Sequence, residues 1–295
     1  MKGRDILSGT FFEVRDVSKS FPGVKALDCV SMSIERGEVR ALVGENGAGK
    51  STLMKVLNGN YKADCGSLLI DGCEVHISDP TVAAQKGISI IFQELNLVSG
   101  LSIAENIFAG RLSENGKPIR WREIRKKAKQ YLDRIGFDID PKTEVGQLSV
   151  AGKQMVEIAK ALSYNAQLIL MDEPSASLTQ NELEKLFAII RDLKQKGIAV
   201  IYISHRLEEI FSICDTVTVM RDGQIIGTSA VKDVTKDKLV EMMVGREISQ
   251  TFPQREHHIQ EEVLRVENLI RKGGKAKISF NLHRGEVLGI AGLVG

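Results

Sequence analysis

Long hydrophobic runs are missing from this sequence. No stretch approaches the roughly 18 to 20 apolar residues that span a bilayer, and Met1-Lys2-Gly3-Arg4 leads into no signal-like core. The reading is a chain that neither crosses a membrane nor is secreted. Cysteine is scarce: Cys29, Cys65, Cys73 and Cys214 are the only four in 295 residues, and their spacing matches no zinc or redox pattern. They read as small packing residues in a reducing compartment. An excess of one charge is also missing. Forty Lys and Arg against 38 Asp and Glu leave +2, which gives no bulk electrostatic footprint for nucleic acid or anionic lipid. What is present is ordinary for a globular protein, with 43% hydrophobic and 26% charged residues and length for one large domain or two.

Against that plain background one motif stands out. Gly44-Glu45-Asn46-Gly47-Ala48-Gly49-Lys50-Ser51-Thr52 fits the pattern GxxxxGK[ST], after an apolar strand at Val39 to Val43 and before a helix beginning near Ser51. Glycines let the backbone bend around a polyphosphate, so that N–H groups and the helix N-terminus point at negative oxygens. Lys50 is placed to reach the β- and γ-phosphates, Ser51 to help hold Mg2+, and Thr52 to act as a supporting donor. The motif makes this a nucleotide-binding chain.

Alternating residues at Phe12 to Val17 and Val30 to Ile34 predict strands, and Asp71-Gly72 between two further short strands predicts a hairpin. Together they form an antiparallel layer. Continuous apolar runs at Ile88 to Phe92, Leu168 to Met171 and Ile198 to Ile203 fit strands of a parallel sheet buried on both faces. From about 97 to 165 the pattern turns helical, with a basic helix over Trp121 to Arg134 and an amphipathic one carrying Met155, Ile158, Ala159 and Leu162. The basic run reads as a solvated helix face.

Internal repetition organises the rest. Arg36-Gly37-Glu38-Val39 recurs as Arg284-Gly285-Glu286-Val287, a spacing of 248 (284 less 36). Phe12 to Val17 resembles Val263 to Asn268. The expected division is therefore a first domain at 1–245, a polar linker at 246–260 containing His257 and His258, and a truncated start of a second copy at 261–295.

Further candidates stand where strands end. Asp172 closes Leu168-Ile169-Leu170-Met171 and is placed to hold Mg2+ through water, while the adjacent Glu173 can polarise an attacking water. Gln93 ends the strand Ile88 to Phe92, where an amide can ligate Mg2+ and sense the γ-phosphate. His205 follows the strand Ile198 to Ile203 and can donate to the γ-phosphate. Open parallel sheets bind ligands at the carboxyl ends of their strands, so Gly44, Gln93, Asp172 and His205 converge.

These residues together resemble the nucleotide-binding domain of ATP-binding cassette (ABC) transporters over nearly all of 11–245. The resemblance implies an α/β P-loop NTPase of ABC type: a mixed, mainly parallel sheet core, an antiparallel β layer and a helical subdomain. It also implies that Phe21 stacks on adenine. The family's LSGGQ signature corresponds to Leu148-Ser149-Val150-Ala151-Gly152, where Ser149 matches and both glycines and the glutamine do not. By resemblance Ser149 caps the γ-phosphate held by an opposing domain. Thr179 stands where many relatives carry aspartate. Phe21 to Leu27, Gln93 to Leu97, Ala104 to Ile107, Ser204 to Ile210 and the closing Gly292-Leu293-Val294-Gly295 look like bacterial importers of ribose, galactose, xylose or arabinose, whose ATPase carries two cassettes in one chain.

The resemblance thus implies an ATPase that uses ATP and Mg2+ and sits peripherally on the cytoplasmic face of the cell membrane. Its partners are transmembrane permease subunits, a second ABC domain and, indirectly, a sugar-binding protein, with no nucleic acid. Two alternatives are a soluble tandem ABC ATPase acting on ribosomes or nucleic acid and a regulatory ATP-binding module without turnover. The short polar joint argues against the first, and Glu173 with His205 against the second.

Overall fold

In the computed structural model, residues 10–93, 96–113, 118–176, 178–245, 260–270 and 277–291 are described. The expected linker with its two histidines and the Gly292 to Gly295 segment lie outside them, apart from Gln260. The chain divides into two compact units, 1–246 and 247–295.

The first unit begins with β1 (Thr10–Phe21) and β2 (Val24–Glu35), paired antiparallel, with β4 (Cys65–Ile70) on the other side of β1 and β5 (Cys73–Val75) beyond it. Strict alternation cannot put both Val14 and Val17 into the core, yet both are buried. A bulge between them resolves the parity. Asp16 adopts φ 48°, and its N–H donates to Ser31 Oγ at 2.8 Å, so the strand regains its pairing one residue out of phase.

The second sheet has the order β10-β9-β3-β8-β7-β6, formed from β3 (Val39–Val43), β6 (Ile88–Ile91), β7 (Leu168–Asp172), β8 (Ala199–Ile203), β9 (Thr216–Arg221) and β10 (Gln224–Ala230). Every pairing is parallel except β9 with β10. The β7 run is apolar throughout because both its faces are covered. Leu168 and Leu170 join the core beneath the antiparallel sheet, whereas Ile169 and Met171 join the core shared with the helices. This is the expected mixed α/β architecture.

Helices α1 (Lys50–Leu57), α2 (Pro80–Gln85), α6 (Gln180–Gln195), α7 (Leu207–Ile213) and α8 (Lys236–Val244) belong to or flank the sheets. Between β6 and β7 lie α3 (Ile103–Ile107), α4 (Trp121–Arg134) and α5 (Val150–Ser163). The basic α4 buries only Ile124, Ala128 and Leu132 and leaves its charges outward. Helix α5 differs from the amphipathic expectation. It buries eleven of its fourteen residues, including Gln154, Glu157 and Ser163, because α3, α4 and the sheet surround it. The cysteines need correction too. Cys29, Cys65 and Cys73 are exposed on the antiparallel sheet, and only Cys214 is partly buried.

The second unit contains β11 (Glu262–Ile270) paired antiparallel with β12 (Lys277–His283). It repeats the β1–β2 hairpin in detail. Phe12 opposite Ile34, Val14 opposite Met32 and Val17 opposite Val30 correspond to Leu264 opposite Leu282, Val266 opposite Phe280 and Leu269 opposite Ile278. Asn268 takes φ 52° at the matching bulge and donates its N–H to Ser279 Oγ at 2.9 Å. At the strand end, Glu38 accepts from the Glu35 amide and Glu286 from the His283 amide. This corrects the repeat's register: Phe12 matches Leu264, not Val263. A one-residue slip would turn every side chain to the other face, and the inward triplet decides the phase.

Candidate functional site

The carboxyl ends of β3, β6, β7 and β8 open onto a cavity of about 520 Å3. Phe21, Asn46, Gly47, Gly49, Lys50, Ser51, Thr52, Gln93, Asp172 and Glu173 all line it, so ten of the residues expected from sequence meet there. Gly44, Glu45 and Ala48 shape the loop from behind, and His205 stands beside Glu173. Ser149 is elsewhere.

The loop owes its path to glycine. Gly44 has φ 156°, and a Cβ there would sit 2.1 Å from the Met220 carbonyl oxygen; Gly49, at φ 102°, would bring one to 2.5 Å from the Ala26 carbonyl oxygen. The Ala48 amide donates to Glu45 O, and Gly49 begins α1 with no side-chain cap. The first-turn amides of α1 therefore face the cavity mouth as an anion site.

Lys50 lies half-buried, and its ammonium donates to the carbonyls of Gly44 at 2.8 Å and Glu45 at 2.9 Å. Burial lowers its pKa, opposed by the charges of Glu173 and Asp172. Burial raises the Asp172 carboxyl above its ordinary 3.8; a hydrogen bond with Ser51 pulls it back, Glu173 pushes it up further, and Lys50 and Lys55 oppose the rise. A desolvated carboxylate beside a hydroxyl and an amide is an all-oxygen donor set short of positive charge. Hard cations such as Mg2+ suit it. Among the described residues no group of three or more His, Cys, Asp or Glu gathers to hold a metal. Mg2+ needs none, because one or two protein ligands suffice when phosphates and waters supply the rest.

Glu173 adopts φ 47°, a left-handed conformation that a side chain other than glycine holds only where the surroundings enforce it. Its N–H donates to Ile203 O at 3.0 Å, and its carboxylate lies 3.4 Å from His205 Nδ1. The carboxylate is thus turned away from β7 toward the cavity and the histidine.

Sequence reasoning missed Val24, Ala26 and Ile203, which also line the cavity. Val24 had a signal: Pro22-Gly23 is a two-residue turn, which makes Phe21 and Val24 a cross-strand pair. Phe21 is held edge-on by Tyr61 at 5.3 Å, so Phe21 and Val24 form an apolar lip suited to a flat base.

Ser149 borders a larger cleft, about 730 Å3, lined chiefly by residues of α4, α5 and α6 and the segments between them. Size favours this cleft, but it contains none of the phosphate-loop or strand-end residues, and chemistry decides for the smaller one. Ser149 is the N-cap of α5 and accepts from the Gly152 N–H at 3.2 Å. Thr179 caps α6 in a capping box with Glu182. The Glu182 carboxyl is lowered first by the Thr179 N–H and further by the hydroxyls of Thr179 and Ser149.

Comparison with known proteins bears on the same residues. The family model described as ABC transporter matches residues 27–176, half of the chain. The chain is 51% identical over 285 residues to a ribose import ATP-binding protein of Geobacillus kaustophilus, covering 96% of this chain and 58% of the relative. It is 48% identical to a galactose/methyl galactoside import ATP-binding protein of Escherichia coli, with 96% and 56% covered. It therefore spans a little over half the length of these relatives. Among solved structures, a nucleotide-free ATP-binding cassette from an ABC transporter matches with TM-score 0.71 at 30% identity, covering 79% of this chain and 98% of that one. The ADP conformation of another such cassette matches with TM-score 0.72 at 29% identity, covering 81% and 100%.

Proposed function

The chain belongs to the ABC transporter family, and from that premise we propose that it binds and hydrolyses ATP to power monosaccharide import through a membrane permease. The observation that carries this reading is the meeting of Lys50, Ser51, Gln93, Asp172 and Glu173 in one cavity at the strand ends. Loop amides and Lys50 hold the phosphates. Phe21 and Val24 receive the base, and Ser51, Asp172 and Gln93 hold the cation. Mg2+ supplies charge neutralisation at the β- and γ-phosphates when bound. Glu173 orients the attacking water and draws its proton, while His205 steadies Glu173 and reaches toward the γ-phosphate.

The repeated β11–β12 hairpin supports a second cassette in the same polypeptide. Leu264, Leu269 and Ile278 are exposed, whereas their counterparts Phe12, Val17 and Val30 are core residues. Ser149, outside the cavity, fits a role at the nucleotide of an opposing cassette. The relatives' names support a sugar of the ribose or galactose class and weigh against a cassette acting on ribosomes or nucleic acid. No described helix is long and apolar enough to cross a membrane; the relatives' names as import ATP-binding proteins support a peripheral place on the cytoplasmic face, against permease subunits. Affinity purification of the full-length protein from native membranes tests this. A polytopic permease is the expected companion; ribosomes or nucleic acid in its place overturn the reading.

Asp172 gives a prediction of its own. Its folded-state pKa is raised, so the folded chain binds this proton more tightly than the unfolded chain, and stability falls as pH rises from the ordinary carboxylate value through the raised one. Ionised Asp172 is thus a cost at neutral pH that a cation relieves. Asp172→Asn is expected to raise the Tm of the nucleotide-free protein by a few degrees and to abolish most of the Mg2+-dependent gain in Tm with ATP. Calorimetry with and without Mg2+-ATP checks both signs. In the wild type, Mg2+-dependent binding should weaken on acidification at a higher pH than an ordinary aspartate would set.

A further inference from the structure

We propose that Glu209 is a positioning residue for hydrolysis: its buried carboxylate fastens the loop carrying Glu173 to the loop carrying His205 and thereby sets their separation. The inference rests on the ATPase reading above. Glu209 sits in the first turn of α7, is 2% exposed, and takes no part in the cavity. One of its oxygens, Oε2, accepts three hydroxyl hydrogen bonds, from Ser175 at 2.7 Å, Tyr202 at 2.9 Å and Ser204 at 2.7 Å. The other accepts a longer contact from the Arg206 guanidinium at 3.3 Å.

The placement of the donors matters more than their number. Ser175 follows Glu173 by two residues, and Ser204 immediately precedes His205. Ser204 Oγ also accepts from the Arg206 N–H at 3.0 Å, so the same hydroxyl pins the backbone on the far side of His205. Besides this carboxylate, the Glu173 N–H bonds to Ile203 O at the end of β8, and the Glu173 carboxylate meets His205 Nδ1 at 3.4 Å. Glu173 holds a left-handed backbone and therefore needs fixing from both sides. Burial and the neighbouring carboxylate keep Tyr202 protonated, so its hydroxyl remains a donor.

A buried carboxylate that merely needed satisfying would accept any three donors. Here two come from the loops that bear the proposed reacting groups, and the third, from Tyr202, comes from within β8 and serves as an internal control. A glutamine amide has only one oxygen: set to accept the three hydroxyls, it turns its NH2 donor to donor on the Arg206 guanidinium, and flipped, it turns that NH2 on the hydroxyls.

The test is steady-state ATP hydrolysis by the full-length protein carrying Glu209→Gln, with Ser175→Ala, Ser204→Ala and Tyr202→Phe in parallel and nucleotide affinity as the check on folding. Displacement of a reacting group by about an ångström costs up to about 100-fold. Glu209→Gln is expected to lower kcat by about 10- to 100-fold with KM for ATP changed less than about 2-fold. Ser175→Ala and Ser204→Ala should each lower kcat by about 3- to 10-fold, and Tyr202→Phe by less than about 2-fold. In a His205→Ala background, Glu209→Gln should add less than about 3-fold, because the separation it sets no longer matters. The inference is overturned if Glu209→Gln turns over like the wild type, if Tyr202→Phe costs as much as the serine variants, or if the full loss persists without His205. Absence of hydrolysis in the wild type overturns the ATPase reading and this inference with it; turnover with an unchanged Glu209→Gln kcat overturns only the inference.

Discussion

Glu173→Gln is expected to lower kcat for ATP by about 100- to 1,000-fold while leaving ATP affinity within about 3-fold of wild type. General-base catalysis contributes about 10²- to 10⁴-fold, and an isosteric amide keeps the side chain's shape while losing its basicity. Affinity should survive because Lys50, the loop amides and the Phe21–Val24 lip make the binding contacts, and Glu173 faces the water side of the cavity. The amide also removes a carboxylate that sits against Asp172 and His205. A single-turnover experiment separates chemistry from product release. Unchanged hydrolysis would exclude Glu173 as the base.

Gly44→Ala is expected to remove detectable nucleotide binding and to cost the fold about 3 kcal/mol or more, in the range of substitutions at a special backbone geometry. The added Cβ meets a backbone oxygen of Met220 on the neighbouring strand β9, and no side-chain movement relieves that contact. Either the loop withdraws from α1 or β3 and β9 separate. Gly47→Ala serves as the comparison. Its φ of 85° is strained for alanine, but nothing lies within 4 Å of its Cβ, so it should fold and bind ATP more weakly. Thermal unfolding followed by ATP titration distinguishes the two outcomes.

The phosphate loop and the strand-end residues were legible in the sequence because their chemistry is local: a fixed spacing of glycines, one lysine and one hydroxyl, and carboxylates directly after apolar runs. The antiparallel layer was legible from alternation, but the Asp16 bulge was not, since period-two reading carries no sign of an inserted residue. The repeat's register, Phe12 to Leu264 and not Val263, is hidden for a different reason: both copies carry the bulge, and only the cross-strand pairing shows which residues face inward. Exposure of Cys29, Cys65 and Cys73 depends on which sheet face is covered, and a strand's own sequence does not state its neighbours. For α5 the reason is tertiary as well: helices on either side bury Gln154 and Glu157, which read locally as a polar stripe. Glu209 lay four residues beyond His205 in plain view. Its meaning required β8, the Glu173 loop and α7 to be assembled around one oxygen.

The proposed role in import is tested most directly by uptake of labelled monosaccharides in cells whose only copy of the full-length protein carries Glu173→Gln. Accumulation of one sugar of the ribose or galactose class should fall to background, with the variant still recovered beside its permease. Unchanged uptake of every such sugar by that variant would contradict the account.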